Sequence, residues 1–245
     1  LLVAGAIAAW AATLVLIWAL VVGDFSLTYV ADTTTRDTSW PFRVSALWGG
    51  MAGSMLLWGA MSAGLLALAS VSARRQTSAV LPGCVAVAGL IVAALLLIHA
   101  TIAEPFARLQ IPAVDGAGLA AILRHPAMTY HPPILYVGLT SLVVPFALAV
   151  AAVHARRVDR RWLAVTRRWV WLSWTALTVG MVAGANWAYV ELGWGGFWAW
   201  DAVENTSLLP WLAGTAFLHA SIVDRSGDRL AAWNAGLAML PFVLT

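Results

Sequence analysis

Seven apolar runs, at about 1–22, 46–71, 80–103, 133–154, 169–190, 206–223 and 230–245, constrain this chain more than any other feature. Most reach the roughly 20 residues that a helix needs to cross a bilayer core. Backbone in hydrocarbon must satisfy its own N–H and C=O groups, which leaves helices or closed barrels. Barrel strands read as short alternating segments, whereas these runs are continuous. The expected fold is therefore all-α, a polytopic helical membrane protein with about seven transmembrane helices. Composition agrees, because a chain 62% hydrophobic and 10% charged has too little polar surface for a soluble globule. Residues 1–245 read as a single transmembrane domain.

All 14 basic residues are Arg, and their distribution sets an expected orientation. Arg74, Arg75, Arg156, Arg157, Arg160, Arg161, Arg167, Arg168, Arg225 and Arg229 fall in one set of alternate loops. Only Arg36, Arg43, Arg108 and Arg124 fall in the other. The first set is expected inside, so loops 23–45, 104–132 and 191–205 face outward across a plasma membrane. The basic charge belongs to this inside bias and does not imply nucleic-acid binding. Cys84 is the only cysteine, so no disulfide or CxxC pair forms within the chain, and it reads as a small buried apolar residue. The chain starts without Met and stops inside an apolar run, which reads as a piece of something longer.

The outward loops carry the unusual residues. "GWGGFWAWDAVENTSLLPWL" (193–212) places Trp194, Phe197, Trp198 and Trp200 within seven residues beside three glycines. Glycines let backbone approach a flat ligand, and indoles offer broad π faces at low rotamer cost. Asp201 followed by Glu204 has the form of a helix capping box, which accounts for the carboxylates without any chemistry. The aromatics remain unexplained by that reading.

Five histidines are present. His131, in "TYHPPILYVG", is held at the outward rim by a stiff Pro-Pro backbone, where a neutral imidazole suits haem iron. The plainer alternative is a helix-start His bonded to a loop. His219 lies inside the sixth run, about 27 Å along a helix from Asp201 at roughly 1.5 Å per residue. An imidazole at such depth needs a partner or a metal. His99 reads as an interfacial His with water access, His125 as a loop His, and His154 as an inner-edge His.

With these residues set out, the sequence resembles a known family. "WGGFWAWDAVENTSLLPWL" is similar to the WWD motif of haem-handling cytochrome c assembly proteins. The stretches 24–58, 104–118 and 125–138 narrow the resemblance to the CcmF-type cytochrome c haem lyases. Ala199 stands where an aromatic is common, and Ala202 where Pro usually follows the Asp. The resemblance implies a haem platform of Trp194, Phe197, Trp198, Trp200, Asp201, Glu204 and Asn205. It further implies His131 as ligand to an outward haem and His219 as ligand to an intramembrane haem b, their partner ligands lying beyond Thr245. Arg36, Arg43, Arg108 and Arg124 are the outward cations available to haem propionates.

The implied function is cytochrome c maturation. Haem is presented at the WWD loop for covalent thioether attachment to the CxxCH thiols of an apocytochrome. The expected partners are a haem chaperone, apocytochrome c and other maturation subunits of the membrane, with quinol as a candidate reductant. Two rival readings need the same residues: a haem-binding or transfer subunit with its chemistry elsewhere, and a quinol-to-haem redox subunit.

Overall fold

A computed structural model describes residues 2–72, 79–224 and 229–245. Its long helices are α1 (Leu2–Val22), α4 (Met51–Ser72), α5 (Leu81–Ile98), α6 (His131–Ser141), α7 (Val143–His154), α8 (Arg160–Glu191), α9 (Ala202–Val223) and α10 (Ala231–Val243). Two short ones, α2 (Thr28–Thr33) and α3 (Trp40–Ser45), lie in loop 23–45. Each of the seven apolar runs is helical, and α6 with α7 forms one run. Among the described residues, five stretches are long and apolar enough to cross a membrane: Leu2–Val22, Met51–Val71, Leu81–Ala103, Pro126–His154 and Ala202–Val223.

The two remaining runs differ from the expectation in different ways. The 13-residue α10 spans only about 20 Å at 1.5 Å per residue. The 32-residue α8 is long enough, but Arg160, Arg161, Arg167 and Arg168 occupy its first turns and polar residues dilute the rest. At about 48 Å it is longer than a bilayer core of roughly 30 Å.

Packing pairs α1 with α4, α5 with α7, α9 with α10, and α8 with α6 and α9. Cys84 is buried in the larger apolar core, alongside Ala88, Val144 and Val170. The α6–α8 seam is the tightest in the site's neighbourhood, and glycines make it so. A Cβ on Gly138 would fall 2.9 Å from the Leu177 backbone N, and one on Gly180 would fall 3.1 Å from that of Leu135. Without side chains at these points the two backbones close up, the small-residue packing that serves helices lacking a hydrophobic driving force in lipid.

Loops 23–45 and 104–132 lock together. Thr28 N donates to Ala107 O at 2.9 Å, Leu109 N to Ser26 O at 2.9 Å, and Ala117 N to Ala31 O at 2.7 Å. Arg36 N donates to Asp115 Oδ1 at 2.8 Å, and these bonds hold the exposed Asp115 carboxyl below the usual carboxylate range. Tyr29 Oη donates to the Ala46 and Leu47 carbonyls, both 2.9 Å away, from a buried position that pushes its own ionisation up. It thereby pins the corner leading into α4. The Arg groups expected on the inner side include Arg74, Arg75 and Arg225, which lie outside the described residues.

Candidate functional site

His131 opens α6 and does not precede it, with Pro132 and Pro133 in the first turn, where their missing N–H groups cost no helical bond. The preceding turn, Pro126–Thr129, is tied to α4's approach by Trp48 Nε1, which donates to Met128 O at 2.7 Å. The imidazole lies against Gly184, where a Cβ would come within 2.4 Å of Cε1. Its Nδ1 is 2.9 Å from Gly180 O. A carbonyl only accepts, so Nδ1 carries the proton in the neutral ring and Nε2 keeps a lone pair. Metal-binding histidines are commonly fixed in this way by a backbone acceptor on the second nitrogen.

Gly180 and Gly184 stand four residues apart, so "GMVAG" presents two bare patches on one helix face. One supplies the carbonyl and the other makes room for the ring. This pair escaped the sequence reading, although the small-xxx-small spacing was a usable signal. Trp187, on the next turn of α8, stacks with His131 at a centroid separation of 6.3 Å and 21° between planes.

The Trp loop closes over this point. His131, Trp187, Trp198, Asp201 and Glu204 all line one small cavity of about 80 Å³. The indole Nε1 groups of Trp187 and Trp198 are both buried without a hydrogen-bond partner. Buried polar groups are nearly always paired, so two orphaned donors beside a histidine mark a place where an acceptor is missing. Trp198 meets Trp200 edge to face at 6.0 Å, and Phe197 stacks on Tyr189 at 4.4 Å. Trp194 donates to Gly196 O at 2.8 Å. Trp194, Phe197 and Trp200 are 45%, 56% and 69% exposed, so this short loop presents large apolar side chains at its surface.

Two glycines in that loop take left-handed conformations. Gly193 and Gly195 have φ of 71° and 73°, and a Cβ on either would meet nothing within 4 Å. Trp200 adopts φ 61°, a left-handed conformation that costs a β-carbon-bearing residue about 1–2 kcal/mol. The capping residues hold it there. Asp201 Oδ1 accepts from Glu204 N at 2.8 Å, Glu204 Oε2 accepts from Ala199 N at 2.7 Å, and Asn205 Nδ2 donates to Trp200 O at 3.2 Å. The capping reading therefore holds for Asp201, while Glu204 departs from the capping box by bonding Ala199 N instead of the cap residue's own N–H. Glu204 reaches two residues past the cap position and so closes the loop as well as the helix.

Other expected residues sit apart from this cluster. His219 is exposed on the outer face of α9, with Nδ1 2.8 Å from Thr215 O. It does not join the residues gathered around His131. Trp211 is a packing residue, stacked on Trp174 and donating to Thr178 Oγ1 at 2.7 Å. Arg43 is fully engaged inside its own loop, donating to the carbonyls of Val21, Arg36 and Thr38. Arg124 donates through Nε to Leu119 O at 2.8 Å. Of the four Arg expected to face outward, Arg36 and Arg108 are exposed, near the carboxylates of Asp115 and Asp24 respectively. His125 caps the 126–129 turn by accepting from Ala127 N at 3.1 Å, in keeping with a loop role. His99 differs from the water-accessible reading: it is only 8% exposed.

Comparison with known proteins follows the same residues. A family model described as cytochrome C assembly protein matches residues 48–245. A probable cytochrome c-type biogenesis protein NrfE of Escherichia coli is 39% identical over 231 residues, covering 94% of this chain and 42% of the relative. A cytochrome c-type biogenesis protein CcmF of Pseudomonas aeruginosa is 39% identical over 232 residues, covering 94% and 35%. The solved structure of a cytochrome c heme lyase CcmF superposes with a TM-score of 0.79 at 39% identity, covering 99% of this chain and 38% of that one. The chain thus spans about two fifths or less of the length of these relatives.

Proposed function

Since the chain belongs to the cytochrome c assembly protein family, we propose that His131 and the Trp loop form a haem-presenting site for covalent attachment to apocytochrome c. The observation that carries this reading is the convergence of His131, Trp187 and Trp198 on one cavity, with His131 Nδ1 held by Gly180 O.

The residues fit haem chemically. Nε2 is a lone-pair donor fixed in its tautomer, the exposed indoles offer a flat apolar rest, and two N–H groups await carboxylate-like acceptors. The enclosed space of about 80 Å³ holds far less than a macrocycle, given that ligand pockets run to roughly 300–1,000 Å³. The fit therefore requires the 192–200 loop to lift on Gly193 and Gly195. Haem bound there would supply the vinyl groups to which the two CxxCH thiols add.

The chain's own contribution is positional. Gly180 O orients the imidazole, Trp187 keeps it stacked, and Asp201 with Glu204 anchors the base of the moving loop. Holding reacting groups at attack distance is itself worth several kcal/mol. In the same reading the loop faces outward from the plasma membrane, as the Arg bias implies. Haem arrives from a chaperone, the other maturation subunits assemble around this chain, and His219 binds an intramembrane haem b through its exposed face.

The test compares His131→Ala and His219→Ala in membrane-purified protein and in cells maturing a reporter cytochrome c. His131→Ala is expected to abolish maturation and to leave the haem bound at His219 reducible. Maturation at the native level in His131→Ala would rule the proposal out.

A further inference from the structure

Away from the Trp loop, a groove of about 680 Å³ runs between α1 and α5 on the face of α4. Its floor on α1 is Gly5, Ala8, Ala9 and Ala12, the i, i+3, i+4, i+7 positions of one helix face. Small residues there leave a channel where larger ones would fill it. All three helices are candidate membrane spans, so whatever enters the groove comes out of the bilayer.

One end of the groove is polar. The imidazole of His99 lines it while 8% exposed, and His99 Nδ1 has no hydrogen-bond partner. Here α5 widens into a single π-helical turn, His99–Ala103, ending at Glu104 in the left-handed region with φ 39°. Such π turns and strained backbone gather at binding sites, because packing alone does not favour them. The exposed Glu104 carboxylate lines the same end. The fold has thus sealed a polar ring against an apolar channel without giving it a partner, and set an acid at the mouth.

We propose that this groove seats one phospholipid bearing an amine head group. The acyl chain lies along the alanine face of α1, where only hydrocarbon suits the walls. The head sits at the His99–Glu104 end, its ammonium paired with the Glu104 carboxylate and its phosphate–glycerol region hydrogen-bonded to His99. Charge decides the head-group class: an anionic head would meet Glu104 unfavourably, while an ammonium complements it.

The experiment reconstitutes the protein in nanodiscs of mixed phosphatidylethanolamine and phosphatidylglycerol and counts retained lipid by native mass spectrometry. One ethanolamine lipid per chain is expected. The double variant Gly5→Leu/Ala8→Leu fills the groove without meeting packed atoms, since a Cβ on Gly5 finds nothing within 4 Å and Ala8 is exposed. It should lower retention about tenfold with an unchanged unfolding temperature, a tenfold loss being about 1.4 kcal/mol. Glu104→Gln should keep a bound lipid and lose the preference for ethanolamine. Equal retention by wild type and the filled groove overturns the proposal. So does a retained isoprenoid quinone, or a wild type indifferent to head group.

Discussion

Replacing Gly184 with alanine puts a methyl group 2.4 Å from His131 Cε1 and 3.0 Å from both ring nitrogens. Ordinary van der Waals contact begins near 3.4 Å, so the ring must retreat by about 1 Å. It has little freedom, because Trp187 is stacked beside it and the 2.9 Å bond to Gly180 O tethers Nδ1. Overpacking of this kind costs about 1–3 kcal/mol, and losing the tether adds roughly 1 kcal/mol. If about 2 kcal/mol of this falls on ligand geometry, haem retention drops about 30-fold. The assay is a haem titration of Gly184→Ala followed by Soret absorption, with thermal unfolding measured in parallel. Gly138→Ala is the control: its Cβ would press on Leu177 in the same seam, two helical turns from His131. Gly184→Ala should lose haem out of proportion to stability, and Gly138→Ala should not. Native haem affinity and an unchanged ligation spectrum in Gly184→Ala would refute the argument that the bare face of α8 sets the ligand.

Three further outcomes follow from the loop. Asp201→Ala removes the cap of α9 and should lower stability by about 1 kcal/mol in thermal unfolding, whereas Asp201→Ser should restore most of it. Trp200→Gly relieves the left-handed strain and should hold or raise the unfolding temperature while cytochrome maturation falls, separating the platform's role from its folding cost. The Asp115 carboxyl is held below its ordinary pKa, so its loop-locking contribution is complete above the usual carboxylate range and is lost as pH falls through the lowered value. Amide exchange at Arg36 should quicken over that acidic range, and Asp115→Asn, which still accepts the bond, should flatten the dependence.

Much of this architecture is legible in residue order. The apolar runs mark the helices because hydrocarbon admits little else, and Asp201 with Glu204 marks the start of α9 because cap chemistry is local. What escaped depends on contacts between distant segments. The bond from His131 to Gly180 joins residues 49 apart, and nothing near either announces the other. Arg43 looks like a free outward cation until the fold wraps four carbonyls around it. His99 reads as interfacial from its place in the run, yet packing of its π turn against α4 buries it. The span count differed for α8 and α10 because run length alone does not weigh the Arg and Trp content of one or the shortness of the other.

The central claim is that His131 Nε2 binds the iron of a haem presented at the Trp loop. Its most direct test is the ligation spectrum of the haem-loaded protein with His131→Gly, before and after added imidazole. The expected result is loss of the axial-histidine signature of that haem, its return when imidazole fills the vacated position, and no change in the haem assigned to His219. A spectrum identical to the native protein's, with imidazole making no difference, would contradict it.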